Sequence, residues 1–193
     1  MRTRTGAATA TTAALLALAA CSSGGTPDAK PSASAPSAKT TSSAPEPTPA
    51  QDQPRAFGKA LTWTADDGVR MSITVMGYEQ DVAKNSITAD EEFDTNGYVW
   101  AAVDIKACLK KGKSGVTRYP WALAYKDGTR IEPSGVTYGD FPKPEYPYEA
   151  KLKPGECVRG KTVFPVPGND RPERVLYTPE ALPDGAEWAV PKS

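Results

Sequence analysis

The segment VRMSITVM, residues 69–76, decides the fold. Its apolar residues stand at every second position, and Arg, Ser and Thr stand between them. Alternation with a period of two is typical of a β-strand that has one buried face and one solvated face. KALTWT, residues 59–64, and the dipeptide Asp67–Gly68 come before this segment, so the pattern predicts a β-hairpin that turns at Asp67–Gly68.

The same pattern continues toward the C-terminus. GYVWAAVDIKAC, residues 97–108, alternates in the same way, and WALAYKDGTRIEP, residues 121–133, predicts a second hairpin that turns at Asp127–Gly128. KLKPGECVRGKTVFPVP, residues 151–167, predicts a Pro-Gly turn followed by a strand, and RVLYTP and AEWAVP predict two more strands. Because no long amphipathic helix interrupts these short strands, the sequence predicts an all-β sandwich or barrel.

The order of these segments resembles a known family, and L-x-P-G-x-x-x-x-G-x-x-x-F-x-V-P, residues 152–167, carries most of the likeness. The family comprises small immunoglobulin-like domains of unknown function in secreted bacterial lipoproteins, and it is similar in fold to the mycobacterial immunoprotective extracellular antigen. The resemblance covers residues 62–188. It implies an immunoglobulin-like antiparallel β-sandwich, of about seven or eight short strands, with no established catalytic residues. Members often have Asn where this chain has Cys108–Leu109.

Residues 1–20 predict a signal peptide. Arg2 and Arg4 form a short positive region, and an uncharged Ala-rich run, residues 7–20, follows it. The run is too short to cross a bilayer, which needs about 20 apolar residues. It ends in LAAC, Leu18–Cys21, which resembles the lipobox of bacterial lipoproteins. That resemblance implies that Cys21 carries a diacylglycerol and becomes the mature N-terminus; the alternative is an ordinary signal peptide followed by a chance cysteine.

Residues 21–56 predict a disordered tether that begins with the lipidated Cys21. From Ser22 to about Pro54 the sequence has no aromatic residue and no Val, Ile, Leu or Met, while Ala, Ser, Thr and Pro dominate. Such a composition cannot bury enough apolar surface to offset the entropy lost on ordering. We expect the tether to hold one folded domain, residues 57–193, away from the membrane. Its Ser and Thr content also permits O-glycosylation.

Export decides how the remaining cysteines are interpreted. With Cys21 lipidated, Cys108 and Cys157 remain in a compartment that permits disulfides, and we expect them to be bonded to each other. Closing a loop of about 49 residues adds about 4 kcal/mol in the chain-entropy model. The alternative is a reactive or metal-binding thiol, although the chain has no histidine and no CxxC motif.

Composition excludes several functional classes. A chain without histidine cannot build Ser-His-Asp or Cys-His catalysis or most zinc and copper sites. Its 23 basic and 23 acidic residues balance, which argues against a nucleic-acid partner and against strong attraction to anionic surfaces. EFDTNG, residues 92–97, resembles the start of a calcium loop, but its twelfth position is Val103 rather than an acid. We therefore predict no metal and no cofactor, although a cation could be bound in another geometry by Asp90, Glu91, Glu92 and Asp94.

One segment, TYGDFPKPEYPYEA, residues 137–150, is a candidate contact surface. It interleaves prolines with four aromatic residues, which are Tyr138, Phe141, Tyr146 and Tyr148. Aromatic residues are enriched where proteins bind partners, and loops at the end of a sandwich often carry recognition. The alternative is that these rings close the core, because a small domain needs large apolar groups to bury.

The sequence predicts a lipoprotein on the extracellular face of the cell membrane, held in the lipid bilayer through Cys21. We expect its folded domain to be a non-catalytic binding or interaction module for an envelope protein or glycan, with no catalytic residue. The alternatives are a structural surface protein and a hydrolase of envelope polymers. The hydrolase would need paired carboxylates roughly 5–9.5 Å apart across a cleft, and the sequence assigns no such pair.

We expect Cys21→Ser to release the protein from the membrane without unfolding the domain. The reason is that acyl chains on this residue provide the anchor, while the tether separates the anchor from the fold. Cell fractionation followed by a thermal melt of the released protein measures both effects. A Cys21→Ser protein that stays in the membrane pellet would contradict the lipid anchor.

Overall fold

The computed structural model of this chain describes residues 53–192. The predicted signal peptide, Cys21 and the tether up to residue 52 lie outside this range. Within it, ten β-strands and one short helix are arranged in antiparallel sheets, which confirms the predicted all-β sandwich. The strands are β1 (Leu61–Thr64), β2 (Arg70–Gln80), β3 (Tyr98–Lys111), β4 (Ser114–Thr117), β5 (Trp121–Ala124), β6 (Arg130–Ile131), β7 (Glu149–Leu152), β8 (Cys157–Pro167), β9 (Arg174–Tyr177) and β10 (Ala186–Ala189).

Two four-stranded sheets form the sandwich. One has the strand order β1-β2-β3-β8 and the other has the order β10-β9-β5-β6, while β4 and β7 pair in a small sheet of their own. The inner faces of both large sheets contribute to one core, whose fully buried members include Ile73, Val103, Leu123, Val175 and Trp188. Ten strands exceed the expected seven or eight, because the sequence pattern did not predict β4 and β7, which form a separate two-stranded sheet.

The predicted β1–β2 hairpin is confirmed. The Ala65 N–H donates to the carbonyl of Val69 at 2.8 Å, and the Val69 N–H donates to the Asp67 side chain at 3.0 Å. Gly68 has a φ of +80°, a conformation that glycine adopts without strain. The second predicted hairpin joins β5 to β6 through a turn of the same kind, in which the Thr129 N–H donates to the Asp127 side chain at 2.9 Å.

β3 is buried on both faces over its first half. Its inner face supplies residues such as Val103 and Ile105 to the core between the sheets. Its outer face supplies Trp100 and Ala102 to a second, smaller core, which also contains Ala89, Phe141 and Val163. The outer face of this sheet is therefore covered by other segments of the chain along the first half of β3.

One of these covering segments contains the helix α1 (Ala89–Phe93). Thr88 and Glu91 form a capping box, in which the Thr88 hydroxyl accepts the Glu91 N–H and the Glu91 carboxylate accepts the Thr88 N–H. The Trp100 indole N–H donates to the carbonyl of Ile87 at 2.9 Å and holds this segment on the sheet. No helix within residues 53–192 is long and apolar enough to cross a membrane.

The predicted disulfide is present between Cys108 and Cys157. The two residues stand opposite each other in the β3–β8 ladder, near the C-terminal end of β3 and at the first residue of β8. The bond closes a separation of 49 residues along the sequence. It therefore fixes the register of β3 and β8 at one end of the sandwich.

The residues that lead into β1 contact both sheets. Arg55 pairs with β10, since its N–H donates to Glu187 and its carbonyl accepts from Ala189. The Gly58 N–H donates to Val75 of β2 at 2.8 Å, and the Trp188 indole N–H donates to the carbonyl of Lys59 at 2.9 Å. This lead-in, residues 55–59, thus connects the edges of the two layers.

The outer edge of β8 is covered by residues 144–146. The Tyr146 N–H donates to the carbonyl of Lys161 at 2.9 Å, and the Lys161 N–H donates to the carbonyl of Pro144 at 2.8 Å. Gly160 allows this close approach, because a Cβ at its position would lie 2.4 Å from the Tyr146 nitrogen. Covering the edge protects β8 from pairing with another chain.

We expect Gly160→Ala to lower the free energy of unfolding by about 1–3 kcal/mol, the usual cost of forcing extra atoms into a packed site. Gly139→Ala is the control, because nothing lies within 4 Å of a Cβ at that position. Urea denaturation of the two variants and the parent measures the difference. Equal stability of both variants would contradict the close approach at Gly160.

Candidate binding cleft

The structure separates the four aromatic residues that were candidate partner contacts. Phe141 is 2% exposed and Tyr146 is 0% exposed, so neither ring can form part of a contact surface on the folded domain. This corrects their assignment, because both rings fill the core. Tyr138 is half-buried, and Tyr148 is 44% exposed. The four rings therefore do not form one exposed patch.

Packing explains where these rings lie. The Phe141 ring lies edge-on to Trp100, with centroids 4.9 Å apart, and contacts Tyr138 at 5.4 Å. The Tyr138 hydroxyl donates to Glu92 of α1, and this hydrogen bond raises the pKa of Tyr138 to about 12. Tyr146 belongs instead to the main core between the sheets. The segment thus joins both cores, as expected if its rings close the domain.

Arg118 fixes the far end of the same segment. This residue is 6% exposed, and its Nε donates to the carbonyl of Tyr146 at 2.7 Å. Its guanidinium lies 3.9 Å from the centroid of the Tyr148 ring, a cation–π geometry. Burial pushes the pKa of Glu145 upward, but hydrogen bonds from Lys143, Thr137 and Arg118 leave it below its usual value. These contacts hold the segment in place.

The acidic residues around α1 stabilise local structure. Asp90 accepts the backbone N–H groups of Tyr98 and Gly97, each at 2.8 Å, and the Thr95 hydroxyl at 2.9 Å. These hydrogen bonds, of which the one from Tyr98 has the largest effect, hold the pKa of Asp90 below its usual value. Glu91 is used in the capping box. No group of three or more His, Cys, Asp or Glu side chains in the described part of the chain is arranged to hold a metal.

A cleft of about 450 Å³ lies between β1 and β10, the edge strands of the two large sheets. Trp63 lines this cleft and also two adjoining depressions of about 210 Å³ and 390 Å³. The Trp63 ring is half-buried, and its centroid lies 5.7 Å from that of Tyr177. A large aromatic surface is thus presented where three concave regions meet.

The polar groups around the cleft carry both signs of charge. Arg174 and Glu187 form an ion pair across β9 and β10, with Nη1 and Oε2 2.9 Å apart. Arg55 and Asp184 also line the cleft. Because the charges balance, the cleft does not select strongly for a cationic or an anionic ligand.

β1 leaves one backbone edge open beside this cleft. Antiparallel pairs alternate between hydrogen-bonded and non-bonded positions, and the Ala65–Val69 bond sets this alternation for the β1–β2 ladder. The bonded positions are therefore Leu61 and Trp63, while Thr62 and Thr64 direct their N–H and carbonyl groups away from β2. Among residues 53–192, no strand other than β2 pairs with β1.

Sequence reasoning placed Trp63 in a strand but did not identify it as a site residue. In a strand pattern, a tryptophan that alternates with threonines indicates an ordinary core position. Only the strand order shows that β1 is an edge strand, and that the ring therefore stands at an opening between the layers. The same strand order identifies Thr62 and Thr64 as open backbone positions.

The carboxyl groups whose pKa is shifted lie elsewhere. Five carboxyl groups have a pKa that hydrogen bonds hold below its usual value. They are Asp90, Glu91, Asp127, Asp140 and Glu145. None of these five lines the cleft. A lowered pKa suits a carboxylate that accepts structural hydrogen bonds, whereas a general acid needs a raised pKa. An open strand edge beside an aromatic ring is equipped for binding.

Comparisons with known proteins concern the fold alone. No protein-family model matches the chain, and no curated protein sequence matches it. Its structure is similar to the 1.5 Å crystal structure of MPT63, a secreted protein from Mycobacterium tuberculosis. The TM-score is 0.53 and the sequence identity is 17%, with coverage of 72% of this chain and 98% of that chain. The yjhA protein from Bacillus subtilis matches with a TM-score of 0.47 and 11% identity, over 71% of this chain and 99% of that one.

The likeness to the secreted mycobacterial protein agrees with the fold that the sequence resemblance implied. At this level of identity it says nothing about ligands or residues. Membership of a lipoprotein family and the immunoglobulin-like classification stay predictions from the sequence.

We expect Phe141→Ala to lower the free energy of unfolding by about 3–5 kcal/mol, as for other buried aromatic rings. Tyr148→Ala in the same segment should cost only about 1–2 kcal/mol, because it removes one cation–π contact and one hydrogen bond to the carbonyl of Gly135. Chemical denaturation of both variants provides the comparison. A stability loss at Tyr148 as large as that at Phe141 would contradict the division into core and surface rings.

Proposed function

We propose that this protein is a non-catalytic binding module of the cell envelope that recognises an extended peptide segment of an envelope protein. In this proposal the peptide pairs with the open edge of β1 and places side chains in the cleft beside it. The observation that carries the proposal is the backbone edge of Thr62 and Thr64, which no strand within residues 53–192 pairs with and which lies next to the Trp63 cleft.

The backbone of β1 supplies the affinity in this mode. An extended peptide that adds to a sheet edge satisfies the outward N–H and carbonyl groups of the edge strand, and hydrogen bonds of this kind do not depend on the peptide's sequence. Thr62 and Thr64 offer two such residues, two positions apart. The exposed threonine side chains on the outer face of β1 leave space for an incoming strand.

The cleft supplies the selectivity. Alternate side chains of a bound strand point to the same face, so one set of peptide side chains would enter the cleft between β1 and β10. Trp63 is the anchor there, because tryptophan is enriched among the residues that dominate binding energy. The contact between Trp63 and Tyr177 holds the ring in position before a ligand arrives.

The proposed location rests on the N-terminal sequence. The leader and the LAAC motif, Leu18–Cys21, favour export and lipid attachment at Cys21. The secreted mycobacterial protein that shares this fold supports export as well. An exported module on a Pro-rich tether is suited to contact proteins within the envelope.

We expect linear peptides selected on the domain from a random display library to depend on both parts of the site. Thr62→Pro should weaken the affinity at least about tenfold, because proline removes an outward N–H that the β1–β2 ladder does not use. Thr62→Val is the matched control, since it loses the same hydroxyl and keeps the N–H. Trp63→Ala should weaken binding about 30-fold, the loss typical of a dominant interface residue. Fluorescence titration measures the affinities, and thermal melts confirm folding.

Other outcomes of this experiment would replace the proposal. Peptides that bind Thr62→Pro as tightly as Thr62→Val would exclude strand addition. If an array of envelope oligosaccharides binds in a way that needs Trp63 and ignores Thr62→Pro, the ligand is a sugar stacked on the ring. A selection that enriches no peptide over the Trp63→Ala domain would remove the cleft as a peptide site.

A further inference from the structure

Seven exposed basic residues gather at one end of the sandwich. None of them forms an ion pair with any residue in the range 53–192, although other basic residues there do. We call this group the cationic end, and its members are Arg70, Lys106, Lys110, Lys111, Lys113, Lys151 and Lys153. Overall charge neutrality therefore conceals a local excess of positive charge.

Strand pairing brings these residues together from separate parts of the sequence. Lys110 and Lys111 end β3, and Arg70 stands opposite Lys111 in the β2–β3 ladder. Lys113 immediately precedes β4, whose Gly115 stands opposite Lys151 in β7.

The turn between β7 and β8 adds Lys153 to the same end. The Gly155 N–H donates to the carbonyl of Leu109 at 2.7 Å, and the Leu109 N–H donates to the carbonyl of Glu156 at 3.0 Å. These bonds hold the turn that contains Lys153 against the end of β3. Lys106 lies on the outer face of β3, opposite Arg159 of β8.

Four acidic residues lie at the same end, and they do not neutralise it. The Asp67 carboxylate accepts the Val69 N–H at 3.0 Å, and the Glu156 carboxylate accepts the Lys153 N–H at 2.8 Å. Asp66, in the turn between β1 and β2, is exposed, and so is Glu180, which lines one depression with Asp66 and Asp67. Seven positive charges against four negative charges leave this end cationic.

The opposite end of β3 is acidic. The segment before β3 carries five acidic residues and one lysine, Lys84, which is paired with one of the five at 2.5 Å. The acidic residues are Asp81, Asp90, Glu91, Glu92 and Asp94. Because β3 has 14 residues, at about 3.4 Å each the two ends lie about 45 Å apart. The domain therefore has a charge asymmetry along its long strand.

The residue types and positions at the cationic end favour binding to an extended anionic surface. Six of its seven members are lysines, which act as mobile point charges toward phosphate, whereas arginine forms fixed bidentate pairs. These lysines project from strand ends, turns and the outer face of β3, and none of them lines the large Trp63 cleft. Such an arrangement contacts many phosphate groups on a surface without enclosing any one of them.

We propose that the cationic end docks on the anionic phospholipid headgroups of the membrane that carries the protein, and that the acidic end with α1 then faces outward. This inference goes beyond the peptide site, since it uses a different surface, and it rests on the proposed function only for the location at a membrane. Several lysines close to an anionic bilayer attract it strongly, within a Debye length of about 8–10 Å.

The test uses the chain from Ser22 onward, which has the whole sandwich and no lipid attachment site. Its binding to vesicles of phosphatidylglycerol mixed with phosphatidylcholine is compared with binding to phosphatidylcholine alone by co-sedimentation. The variant Lys110→Gln/Lys111→Gln/Lys113→Gln removes three charges from the cationic end. The matched control Lys59→Gln/Lys126→Gln/Lys192→Gln removes three exposed lysines from elsewhere and changes the net charge equally.

We expect the parent chain to bind the anionic vesicles only, and to lose affinity as salt concentration rises. The cationic-end variant should bind on the order of 100-fold more weakly, and the matched control should stay within about threefold of the parent. Equal losses in the two variants, or equal binding to both kinds of vesicle, would overturn the proposal. Binding to soluble polyphosphate without binding to vesicles would also overturn it, in favour of a dissolved polyanion.

The same preparations separate this proposal from the peptide site. Peptide affinity depends on Thr62 and Trp63, and neither residue is changed in the lysine variants. Loss of vesicle binding with intact peptide binding therefore concerns the cationic end alone, and the reverse result concerns the β1 edge alone.

Discussion

The pairing of β3 with a partner strand on each side is the constraint on which the rest of the structure depends. β2 and β8 hydrogen-bond to it along most of its 14 residues. Its inner face fills the main core, and the first half of its outer face, through Trp100 and Ala102, fills the second core. Its C-terminal half places Cys108 opposite Cys157 and carries three lysines of the cationic end, Lys106, Lys110 and Lys111. Displacing β3 would therefore disturb both cores, the disulfide and the charge asymmetry together.

Period-two alternation predicted β2, β3 and both hairpins, because each of these has one face in the main core. The same reasoning could not foresee the burial of Trp100, since that burial depends on distant segments folding back over the sheet. Helix α1 was missed because it is a single short turn of five residues. Its capping box, Thr88 with Glu91, was nevertheless readable as Thr-x-x-Glu.

The site residues were harder to predict, because their roles depend on strand order. Phe141 and Tyr146 look like surface aromatics among prolines, but the close approach at Gly160 draws that segment against β8 and buries both rings. Trp63 shows the reverse case, since a core-like position becomes accessible at an edge strand. The total charge of the chain likewise did not reveal how charged residues are distributed over the folded surface. Balanced totals argued against anionic partners, whereas pairing of β4 with β7 places Lys151 beside the lysines that end β3.

The lead-in at residues 55–59 has a mechanical consequence if the chain is anchored through Cys21 as proposed. A pulling force that reaches the domain from that side acts first on the two backbone bonds of Arg55 with β10. The next bonds along the chain join Gly58 to β2 and Lys59 to Trp188, so the load passes into both layers at once. The layered core can then resist tension as a unit, while the bonds at Arg55 yield first and lengthen the connection.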